Sequence, residues 1–69
     1  MAIVTPMLPY DAAGVRLELA RLLAAEGDRA GAAKWAQAAY DLMAPLQVKY
    51  GPRAAAIMGD AVALGAQQR

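Results

Sequence analysis

Apolar residues recur at helical spacing along most of this chain. From about Ala12 to Glu26, the residues Ala12, Val15, Leu19, Leu22 and Leu23 follow one another at intervals of three, four, three and one, which gathers them on one face of a helix with 3.6 residues per turn. Asp11 stands just before this stretch, where a carboxylate accepts from the free amides of a first turn, and is the expected N-cap. Gly27 supplies the left-handed residue that closes the helix, and Asp28 caps the next, so Gly27-Asp28 reads as a tight corner between two antiparallel helices. The second helix, about Arg29 to Met43, places Ala32, Trp35, Ala36, Ala39, Tyr40 and Met43 on one side, and Pro45 ends it. A linker from about Ala44 to Tyr50 follows. Gly51-Pro52 then opens a third helix, with proline in its favoured first-turn place, running to about Gln67 with Ala54, Ile57, Met58, Ala61, Val62 and Leu64 as its apolar positions. Gly59 is its weak point.

Residues 1–10 read differently. Pro6 and Pro9 hold the residues before them in extended geometry and remove backbone donors, which predicts an extended arm. Ala2, Ile3, Val4, Met7 and Leu8 make it apolar, whereas a solvated tail is normally polar. It either folds back over its own helices or lies in a groove or along a strand edge of another protein. The expected architecture is therefore all-α: an arm over residues 1–10, then a single three-helix domain over residues 11–69, built as a helical hairpin plus a third helix.

Composition narrows what such a domain does. With 69 residues, the chain sits near the lower limit at which one hydrophobic core outweighs conformational entropy unaided. It has no cysteine for disulfides or thiolate metal sites and no histidine, the commonest metal ligand and general base. An apolar content of 59% then points to association with another chain as the means of completing the core. Seven basic and six acidic residues, formal charge +1, are interspersed rather than clustered, which argues against a phosphate-binding surface and so against nucleic acid as partner. The first ten residues carry no basic run of the kind that precedes a secretory leader, and the apolar run Ala54–Gly59 is far too short to span a bilayer. A cytoplasmic protein is expected. Abundant Ala, Gly and Arg, without Ser or Asn, suggests a GC-rich bacterial or phage genome.

Catalysis finds little to use. Ser, Cys and His are all absent, so no common nucleophile or base is present, and no strand precedes a Gly-rich phosphate loop. Glu26 and Asp28 flank the corner glycine, where helix-end charge complementation and capping account for them; no further oxygen ligands lie nearby to build a metal site. The chain reads as no enzyme, without catalytic residues, cofactor or metal. The residues expected to meet a partner are Ile3, Val4, Met7 and Leu8 of the arm, the tyrosines Tyr10, Tyr40 and Tyr50, and Arg16 and Arg21 on the first helix; Trp35 is assigned to the core. For Tyr40 core and interface roles stay open, and a solvated face is the simpler account of the two arginines.

At the first hairpin the residues resemble a tetratricopeptide repeat. Leu19, Ala20 and Leu23 in the first helix, Gly27-Asp28 at the corner, and Ala32, Ala39 and Leu42 in the following helix are similar to that family's large and small positions over about residues 13–45. Arg16 stands where the motif usually has an aromatic residue, Leu23 replaces a tyrosine, and the closing proline, Pro45, falls one residue late. The resemblance implies a paired-helix fold that holds peptides or other proteins. Composition and resemblance thus agree on a small helical protein–protein interaction module, either an accessory subunit of a larger complex or an inhibitor that occludes a partner's surface. The alternative is a self-associating structural protein, a homo-oligomer whose helices complete a bundle that one chain leaves open.

Overall fold

A computed structural model describes residues 8–67 of the chain. The fold is all-α: α1 (Pro9–Ala25), α2 (Arg29–Met43), a 3-10 turn (Ala44–Leu46), the single-turn α3 (Gln47–Tyr50) and α4 (Pro52–Ala63), with no strand among the described residues. The helix α2 packs against both α1 and α4, which touch each other over a smaller area. The result is flat, with extents of 39 × 32 × 15 Å.

Helix ends show why the elements fall where they do. α1 begins at Pro9, not after Asp11: Leu8 is the N-cap, extended at φ −66°, ψ 149°, and no side chain caps it. The reason is that proline keeps the residue before it out of the helix, while at the first helical position its own fixed φ and missing N–H are favourable. Pro9 and Tyr10 of the expected arm are thus helical, and Asp11 sits inside the first turn. The rest of the arm, residues 1–7, including Ile3, Val4 and Met7, lies outside the described residues.

The corner between α1 and α2 forms as the sequence implies. Gly27 takes φ +87°, the Asp28 N–H donates to the Leu23 carbonyl at 2.9 Å, and the Gly27 N–H donates to that of Ala24 at 3.0 Å, which closes the end of α1. Asp28 then turns to α2, its Oδ1 accepting from the Gly31 N–H at 2.9 Å. A Cβ at position 31 would run into the Asp28 carboxylate, so the glycine leaves room for the cap. Asp28→Ala should therefore cost about 1 kcal/mol. In thermal circular dichroism this lowers Tm by roughly 4–8 °C for a domain of this length; an unchanged Tm would remove the cap from the account.

The linker expected over residues 44–50 is instead helical. Pro45 has no N–H to continue the α ladder, but the chain tightens through the 3-10 turn and one turn of α3 before Gly51-Pro52 opens α4. α4 passes through Gly59 without a break and ends at Ala63, earlier than Gln67, because Gly65 at φ +118° reverses the chain there. The Ala66 N–H donates to the Ala61 carbonyl at 2.9 Å, and the Gly65 N–H to that of Val62 at 3.1 Å.

The core is made mostly of alanine. Ala13, Leu17 and Ala20 of α1, Ala36, Ala39 and Met43 of α2, Ala54, Ile57 and Ala61 of α4, and Ala66 form one buried cluster. Small residues on facing helices let backbones approach closely. Trp35 and Tyr40 flank this cluster, half-buried, and do not supply its centre.

Candidate docking surface

The first helix is turned relative to the face its leucines predict. The sequence points Ala12, Val15, Leu19, Leu22 and Leu23 inward; the buried residues are Ala13, Leu17 and Ala20. Val15, Leu19 and Leu22 are 47%, 37% and 62% exposed, and Leu8, at the head of the helix, is 61% exposed. At 3.6 residues per turn these four lie about half a turn from the buried three, so the helix is apolar on two opposite sides. The small-residue side faces the core because Ala13 and Ala20 admit the alanines of α2 closely, with Leu17 filling the remaining space. The larger side chains are left in solvent.

The residues expected to meet a partner are dispersed. Leu8 belongs to the exposed stripe. Tyr10 and Tyr50 come together, ring centroids 5.4 Å apart at 46°, and both pack against the core, with the Lys49 ammonium 5.5 Å from the Tyr50 ring centre. They therefore join α1 to α3. Tyr40 is half-buried at the core edge. Arg16, half-buried, donates from Nη1 to the Ala12 carbonyl one turn back at 3.2 Å. Arg21 pairs with Glu18 on its own helix and, at 3.5 Å, with Asp60 on α4. Both pairs are solvent-exposed, so they contribute little to stability.

Sequence reasoning misses Val15, Leu19 and Leu22 as surface residues. Periodicity weights large apolar residues toward the core and does not distinguish two apolar stripes on one helix. The available signal is in Leu17 and Ala20, which fall off the Val15-Leu19-Leu22 face but form an apolar face of their own with Ala13.

A cavity of about 250 Å³ lies near the corner between α1 and α2 and the end of α4. The described residues lining it include Ala24, Ala32, Ala33, Leu64 and a single charged side chain, Arg29. Among the described residues no group of three or more His, Cys, Asp or Glu side chains is placed to hold a metal ion, and no helix is long and apolar enough to cross a membrane. Comparisons with protein families, with curated proteins and with solved structures give no match to this chain.

Proposed function

We propose that this chain is a small helical protein–protein interaction module, an accessory subunit or an occluding inhibitor, that docks through the outer face of α1. The observation that carries this reading is the stripe of Leu8, Val15, Leu19 and Leu22 opposite the core. A helix with two apolar sides has two faces to cover, and this one has a core on one side only. The exposed fractions amount to roughly 400 Å², within the range of the largest, often functional, apolar patch on a monomer. The resemblance of the first hairpin to a tetratricopeptide repeat points to the same role.

The double variant Leu19→Glu/Leu22→Glu tests the surface. Both side chains reach solvent, Leu22 more than Leu19, so the helical spectrum should be kept and Tm should fall only modestly. Proteins that co-purify with the tagged parent chain should be lost from the variant, because each glutamate would be desolvated in the interface without a partner. Equal recovery of the same proteins by a folded variant would take the docking role away from α1.

A further inference from the structure

The exposed stripe carries more order than a patch needs. Leu8, Ala12, Val15, Leu19 and Leu22 are separated by four, three, four and three residues, the alternation that keeps a seam facing a second helix in a two-stranded coiled coil. We infer that the partner for this face is the same face of a second copy, with the two α1 helices parallel. The inference rests on the docking role assigned above to α1.

Charge selects the occupant and its direction. Asp11 and Glu18, both exposed, border one side of the stripe, and Arg16 and Leu23, both half-buried, border the other. In a parallel pair, each border faces the opposite border of the partner one turn and a half further on, so Asp11 meets Arg16 of the second copy, twice by symmetry, and Glu18 lies beside an aliphatic Leu23. In an antiparallel pair with the stripes fully overlapped, like borders face each other and Asp11 is set against Glu18 of the second copy, twice. The sequence of α1 is complementary to itself in one direction and repulsive in the other.

Geometry and entropy allow the pairing. The stripe lies opposite the face packed on α2, so the two bodies diverge from the seam without colliding. α1 is already held helical by its inner face, and the pairing therefore avoids the cost of nucleating a helix, which makes isolated short coiled coils marginal. The apolar area, roughly 400 Å² per copy, is about half that of a standard interface. A reversible dimer with micromolar or weaker affinity follows.

Sedimentation velocity of the full chain from about 10 µM to about 1 mM should show a monomer giving way to a dimer at affinities of this class. Leu19→Glu/Leu22→Glu should remain monomeric throughout with its helical spectrum intact. Arg16→Glu should weaken the dimer at least about fivefold, and Asp11→Lys added to it should restore much of the loss. The parent has no cysteine, so Leu22→Cys reports direction without ambiguity: a parallel pair brings the two copies of residue 22 together and oxidises to a covalent dimer, whereas an antiparallel pair holds the two copies of residue 22 apart. A parent that stays monomeric to the highest concentration overturns the inference and leaves the face to a foreign protein, whose co-purification is read separately. A dimer indifferent to Leu19→Glu/Leu22→Glu overturns it by placing the contact elsewhere, and a dimer in which Leu22→Cys fails to cross-link overturns the parallel arrangement.

Discussion

Met43→Ala is expected to remove most of the protein's stability. Met43 is the one large side chain with no exposure among the described residues; its fellow core members are mainly alanines, with Leu17 and Ile57 slightly exposed. An alanine buries little apolar area, so an alanine-rich core draws an outsized share of its stabilisation from its few larger members. Replacing a buried methionine by alanine costs about 2–5 kcal/mol, the transfer of the lost atoms plus the cavity left behind. A single core in a chain of this length supplies only about 3–5 kcal/mol in all. The two ranges overlap, so one substitution removes most of the stability the core supplies. Urea titration followed by circular dichroism should show the folded baseline shortened or absent. Met43→Leu, which conserves volume, should cost less than about 1.5 kcal/mol and keep a clear transition. A Met43→Ala chain within about 1 kcal/mol of the parent would mean that the alanine contacts and the flanking aromatics hold the fold without it.

The features legible in the sequence are those set by local chemistry. Gly27-Asp28 specifies a corner because a residue there must adopt positive φ without strain and the next must offer an acceptor to an amide three positions ahead; neither depends on the rest of the chain. Pro52 at the head of α4 is the same kind of feature. Pro9 obeys that rule too, yet its opposite effect on Leu8 dominates a sequence reading and places the start of α1 too late. Local rules do not reach the rotation of α1. It depends on which face the alanines of α2 accept, a property of two helices together, and the leucine-rich stripe is the stronger signal in the sequence while the alanine face makes the closer contact in space. The sequence therefore assigns the partner surface to tyrosines, two arginines and an apolar arm, whereas the exposed apolar stripe of α1 is a face expected to lie inside. Leu8 is the one expected partner residue that belongs to that stripe.

The same substitution at two glycines should have effects of opposite sign. Gly65→Ala is expected to cost about 2–3 kcal/mol, for two reasons that act together. Its backbone holds φ +118°, where a Cβ is strained, and that Cβ would stand 2.8 Å from the Ala33 Cβ and 3.1 Å from the Ala33 Cα. The Cα belongs to the interior of α2 and has no room to give, so the chain end must lift away instead. Lifting exposes Ala66, fully buried here, and breaks the clasp beyond it, in which the Gln67 N–H donates to Gln37 Oε1 at 2.7 Å while Gln37 Nε2 donates to Gln67 Oε1 at 2.7 Å. Gly59→Ala meets the reverse conditions, in the middle of α4 with nothing within 4 Å of the added Cβ. It should stabilise by roughly 0.5–1 kcal/mol, since alanine loses less backbone entropy on entering a helix. Urea titration of the two variants side by side reads both signs, and amide hydrogen exchange locates the loss: in Gly65→Ala the Gly65, Ala66 and Gln67 amides should exchange faster than the middle of α2. Equal protection across the whole of α4 and the turn after it would show that Ala33 yields to the new methyl group, and the close approach of the chain end to α2 would then not be what fixes glycine at position 65.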